Sequence, residues 1–147
     1  MQIHFINERG EESMGQYKEE LPSGGTFTIN DGKGWNISYY TPGPDRRYNG
    51  HYYTLYGDEI DKYINAWKEN FKKYVDMKSV FKANGTYSTI GLCNMCINIG
   101  GYHDGVSLDL WQKPVNQKKE IEQIIADYED VKSRAPTLMK MMLDMDK

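Results

Sequence analysis

Cys93 and Cys96 stand three residues apart in Cys-Asn-Met-Cys, the spacing of a redox dithiol or of half a zinc knuckle. A redox pair needs a helix N-terminus to depress one thiol pKa, and a zinc site needs two further ligands. The pair falls instead in an alternating run that reads as a strand, where a separation of three sends the side chains to opposite faces. His4, His51 and His103 are scattered along the chain. The cysteines therefore read as ordinary core or surface thiols, and neither a metal nor a cofactor is expected. His103-Asp104 has the composition of half an acid-base pair, yet Asp104-Gly105 is better explained as turn chemistry. Gly24-Gly25 and Gly100-Gly101 lack the lysine, hydroxyl and following helix of a phosphate loop. The expectation is a protein that is not an enzyme.

A binding chemistry is better represented. Tyr39, Tyr40, Arg46, Arg47, Tyr48, His51, Tyr52, Tyr53 and Tyr56 concentrate aromatics and the only adjacent arginine pair around one strand-loop-strand unit. Tyrosine and arginine bury large area while a polar end stays satisfied, which is why they dominate binding hot spots. Some of these tyrosines also suit the buried side of a pleated strand. The candidate binding residues are Tyr40, Arg46, Arg47, Tyr48, His51 and Tyr52. Two functions fit them: docking of a protein partner, or capture of a nucleotide or other small anionic ligand by the arginines with stacking on tyrosine.

The elements that must position these residues follow from periodicity. Residues 2–6 fit a short edge strand and residues 7–20 a loop or weak helix. Residues 26–29 and 35–41 read as strands joined by an Asn-Asp-Gly turn, and residues 51–56 as another. The loop 42–50, with Pro42, Gly43, Pro44 and Gly50, cannot be regular structure and projects between two of these strands. Asp58 is placed to cap a helix whose Ile60, Ile64, Trp67 and Phe71 form one apolar stripe.

Residues 85–111 form the best-specified stretch. Cys93, Met95, Ile97 and Ile99 alternate with Asn94, Cys96 and Asn98, a glycine-rich turn follows, and Val106, Leu108 and Leu110 alternate with Ser107 and Asp109. This predicts a hairpin with Asn98 and Ser107 outward. Ile90 and Leu92 have the opposite parity, which calls for a bulge near Gly91. A second helix with a stripe of Ile121, Ile124, Ile125, Tyr128 and Val131 should stop near Ser133. Pro136 then separates it from a short methionine-rich helix at 137–147, offering a surface for a homo-oligomer or another partner.

An offset of about 60 lays residues 25–75 over 85–133, with Trp35, Ile37 and Tyr39 on Met95, Ile97 and Ile99, and Trp67 on Tyr128. The fold expected is a single α+β domain of 147 residues, an antiparallel sheet with helices on one face and an internal duplication. A net charge of -3 argues against bulk electrostatic binding of nucleic acid or anionic membranes. No membrane span or leader is read, so a cytoplasmic location is expected. The sparing use of arginine and generous use of lysine, asparagine and isoleucine fit an AT-rich bacterial or phage source. The function expected is that of a small interaction protein that blocks a macromolecular partner, of the inhibitor, immunity or phage anti-defence type.

Overall fold

The computed structural model describes residues 15–30, 34–41, 50–81, 85–108 and 113–145, with the side chain of His51 outside the description. Four strands, β1 (Gln16–Glu20), β2 (Thr26–Asn30), β3 (Gly34–Thr41) and β4 (His51–Tyr56), pair in sequence order as an antiparallel meander. A 3₁₀ turn (Gly57–Glu59) leads into α1 (Ile60–Val80). Three more strands, β5 (Tyr87–Ile90), β6 (Cys96–Ile99) and β7 (Gly105–Ser107), form a second antiparallel meander, followed by α2 (Lys118–Met145). The α+β class and antiparallel pairing are as expected, with the strands divided between two sheets. Both halves run from a meander into a long helix.

One core joins these layers. Phe27, Ile29, Ile37 and Leu55 from the larger sheet meet Ile60, Ile64 and Trp67 of α1, Met95, Ile97 and Val106 near and in the smaller sheet, and Ile121, Tyr128 and Val131 of α2. Burying a side chain of this size contributes roughly 1.5 to 3 kcal/mol, so the inward faces of the strands set the register. Phe27 pairs with Ile37 and Ile37 with Leu55, which puts the odd-numbered residues of β2, β3 and β4 inside.

Several expectations are corrected. Residues 16–20 form β1 and not a loop or weak helix: inward Glu19 is held by two hydrogen bonds from Arg134 of α2, at 2.6 and 3.2 Å, so the strand carries no apolar alternation to read. The 85–111 hairpin is three strands. A 3₁₀ turn at Leu92–Asn94 stands where a bulge was expected, which leaves Ile90 and Leu92 exposed and not in the core. Asn70 of α1 makes that turn possible, because its amide donates to the Leu92 carbonyl and accepts from the Leu92 N–H, both at 3.0 Å. A Cβ at Gly91 would collide with the same amide. Cys93 therefore lies in a left-handed turn (φ 56°) and not in mid-strand, while Cys96 opens β6, and the two are not joined in a disulfide. Asn98 and Ser107 do share the outward face but are buried there, not wet.

The second helix does not stop near Ser133. It runs through Pro136 to Met145, because its buried stripe continues through Val131, Ala135 and Met142 while Pro136 itself faces solvent. The residue at the α1 cap is Glu59, one beyond Asp58, and it makes no side-chain capping bond. Residues 2–6, most of the loop 42–50, Asp109, Leu110 and Trp111, and the last residues of the methionine-rich tail lie outside the described residues.

Candidate functional site

Tyr40 and Tyr52 form a directly opposed pair in the β3–β4 ladder, on the face of the larger sheet turned away from the core. Their ring centroids lie 5.0 Å apart with planes tilted by 50°. Tyr56 is on the same face of β4, and the three tyrosines are 56%, 69% and 59% exposed in chain order. Around them the outward positions of β2, β3 and β4 are short and polar: Thr26, Thr28, Asn36, Ser38 and Thr54. The alternation responsible is plain in sequence, since Tyr39 and Tyr53 take the inward positions that Tyr40 and Tyr52 leave. The cluster of tyrosines thus divides between core and surface.

Of the sequence-derived candidates, the structure brings Tyr40 and Tyr52 together and adds Tyr56. His51 opens β4 opposite Thr41; its side chain, and Arg46, Arg47 and Tyr48, lie outside the described residues.

Tyr40 also stands at the rim of a cleft of about 420 Å3 lined by Ser23, Tyr39, Thr41, Lys113 and Gln123 among others. Three of its lining residues, Ser23, Tyr39 and Trp67, are tied together through buried Tyr128. The Trp67 indole donates to the Tyr128 hydroxyl at 3.2 Å, Tyr128 meets Tyr39, and Tyr39 lies 3.4 Å from the Ser23 hydroxyl. Burial pushes both phenols up, Tyr128 the further, so they stay neutral near pH 7 and act as ties. Buried Asp127 ties two more lining residues, accepting from the Ser23 N–H at 2.7 Å and from Gln123 at 2.8 Å. None of this was legible in sequence, because the partners are contributed by the β1–β2 turn, β3, α1 and α2.

A second cluster of ionisable groups joins α1 to the β6–β7 turn. Tyr74 donates to Asp104 at 2.6 Å and Lys78 donates to the same oxygen at 2.8 Å. The Asp104 contact raises Lys78 and burial raises Tyr74, so at neutral pH the lysine is charged and the phenol neutral. That protonation state suits a structural tie better than a general base. Burial also pushes the Cys93 thiol up, away from the thiolate needed for nucleophilic chemistry. Among the described residues no group of three or more His, Cys, Asp or Glu is placed to hold a metal ion, and no helix is long and apolar enough to cross a membrane.

No family model matches this chain, and neither a curated protein nor a solved structure matches it.

Proposed function

We propose that this is a non-enzymatic cytoplasmic binding protein that docks a protein partner on the outward face of β3 and β4, with Tyr40, Tyr52 and Tyr56 as anchors. The observation that carries this reading is the tyrosine pair held 5.0 Å apart on an open, hydroxyl-rich sheet face. Tyrosine has few rotatable bonds and keeps its hydroxyl wet at the rim of an interface, so a partner gains apolar contact at low entropic cost. Ser38, Thr54 and Asn36 supply adaptable hydrogen bonds between the anchors. Fixing the rings on strands means little ordering is left to do at encounter, which favours affinity. Such a protein acts by covering a surface of its partner, as inhibitors, immunity proteins and phage anti-defence proteins do. Arg46, Arg47 and Tyr48 join this reading on their sequence position beside β3 and β4.

The test is to install a photoreactive phenylalanine analogue at Tyr52, crosslink in extract of the source cell and identify the captured species. Affinity of the purified partner is then measured for the parent and for Tyr40→Ala, Tyr52→Ala and Tyr56→Ala. Loss of an anchor should weaken binding roughly thirtyfold, the scale of a hot-spot side chain. Unchanged affinity in all three variants would remove this face from consideration. A small anionic ligand in place of a protein, with binding abolished by Arg46→Ala and Arg47→Ala, would favour the ligand-binding alternative.

A further inference from the structure

We infer that the smaller sheet carries a second binding site, for the uncharged base of a nucleoside, in a cavity of about 210 Å3 beside β5 and β6. Its wall includes Ser88 and Asn98, and its rim Tyr87, Tyr102 and His103. Asn98 is 6% exposed, and its amide is only half used: Oδ1 accepts from the Ser88 hydroxyl while Nδ2 has no partner. Turning the amide over exchanges the two atoms but still leaves one of them unspent. A buried polar atom without a partner is costly and calls for an explanation. The Ser107 hydroxyl, diagonal to Asn98 on the same face, is unpartnered too, so the need lies with this face and not with one side chain.

The surroundings say what would meet that need. Among the described residues no lysine, arginine, aspartate or glutamate lines the cavity, so its polar wall of Ser88 and Asn98 suits a neutral part of a ligand. Tyr102 is 99% exposed at the rim, and Tyr87 has one face stacked on Phe81, at 5.0 Å and 16°, with its other face uncommitted to that ring. Aromatic faces at the mouth and an amide donor within select a flat ring carrying a hydrogen-bond acceptor. At about 30 Å3 per water the cavity holds roughly seven waters, which is space for one heterocycle. A Cβ at Gly101 would meet no atom within 4 Å, so that wall is open to an incoming ring. The Asn98 Nδ2 is covered as the side chain stands, and binding requires a rotation in the broad χ2 well that brings this donor to a ligand acceptor while the Ser88 hydroxyl follows Oδ1. Uracil, whose exocyclic carbonyls accept, and adenine, whose N1, N3 and N7 accept, both meet these demands.

The experiment is a titration of the full chain with uridine at millimolar concentration, followed by nitrogen-15 NMR, with adenosine in parallel. Uridine should shift the Asn98 side-chain amide and the Gly100 and Gly101 backbone amides, and adenosine should shift the same signals. Asn98→Ala and Tyr102→Ala should each weaken uridine binding roughly tenfold; Tyr102 makes no demand on folding, so that variant decides the matter if Asn98→Ala proves unstable. No shift with uridine, equal binding in Tyr102→Ala, or a soaked crystal whose cavity holds ordered water alone would each overturn the inference.

Discussion

Trp67 of α1 donates its indole hydrogen to the hydroxyl of Tyr128 on α2, 61 residues further along the chain, at 3.2 Å in the core. These two positions coincide when residues 25–75 are laid over 85–133. Equivalent positions of a two-fold pair meet at its axis, as matching residues do in a symmetric dimer. If the two halves are duplicates, this contact lies on the axis that relates them, and both halves run from a meander into a long helix. The registers differ in detail, since Phe27 pairs with Ile37 whereas its counterpart Tyr87 pairs with Ile99, two residues beyond the counterpart of Ile37.

Tyr128→Phe keeps the shape of the ring and strands the buried indole N–H. An unpaired buried donor costs about 1 to 3 kcal/mol, and a denaturant melt should show that loss without a change in m-value. A change under about 0.5 kcal/mol would mean that the indole finds another acceptor.

Leu108 follows β7 with its side chain fully in the core. Leu108→Ala should cost about 2 to 5 kcal/mol by loss of burial and formation of a cavity. A loss below about 0.5 kcal/mol in the same melt would contradict its placement.

Much of this core was legible because strands and helices advertise their inward face by period. Ile37, Leu55, Ile97 and Val106 sit where alternation puts them, and Ile64, Trp67, Ile124 and Val131 where helical spacing does. The errors share a cause: a tertiary partner replaced the local signal. Glu19 turns inward because Arg134 receives it. Pro136 stays helical because Ala135 and Met142 are held in the core. The 3₁₀ turn after Gly91 exists because Asn70 supplies both hydrogen bonds that a neighbouring strand would have supplied. Of the candidate site, the surface tyrosines were readable from alternation. The Ser23–Tyr39–Tyr128 chain and the half-satisfied Asn98 depend on contacts across elements, which no single stretch of sequence displays.

Asn70→Ala should accordingly destabilise by about 1 to 3 kcal/mol, since it leaves the Leu92 N–H without its acceptor and the Leu92 carbonyl with the Met95 N–H alone. Asn70→Asp keeps the acceptor and loses the donor, so hydrogen exchange should then show the 92–94 turn opening before the rest of the protein. Global and local protection unchanged in both variants would mean that water replaces the amide without loss.

The Tyr74–Lys78–Asp104 tie predicts a pH dependence on both sides. Burial alone would lift the Asp104 carboxyl, but the bonds from Lys78, Tyr74 and the Gly100 N–H outweigh it and hold it below its ordinary 3.8. The unfolded chain then takes up the proton first on acidification, so this stabilisation is present above pH 3.8 and fades below it. Lys78 is raised by Asp104 and then by Tyr74, and Tyr74 by its burial and then by Asp104, from ordinary values of 10.5 and 10.0. Their contribution is complete below those values and is lost as the pH climbs through the raised ones. Thermal midpoints of Asp104→Asn against the parent should lie lower near neutral pH and fall less steeply on both the acid and the alkaline limb. Parallel curves for the two proteins would show that the tie carries no linkage.

Pro136 offers the sharpest check on the helix. A proline in a helix interior removes the hydrogen bond to the carbonyl four residues earlier, here that of Lys132, and crowds it with its ring, at a cost of about 3 kcal/mol relative to alanine. The helix continues because the stripe through Ala135 and Met142 outweighs that cost. Pro136 is exposed, so replacing it disturbs no core contact. Pro136→Ala should therefore raise stability, by up to about 3 kcal/mol where the backbone relaxes fully, and slow hydrogen exchange on both sides of position 136. If residues 137–145 were a separate helix beginning after a break, the proline would sit at a favourable start position, and alanine there would leave stability unchanged or lower it.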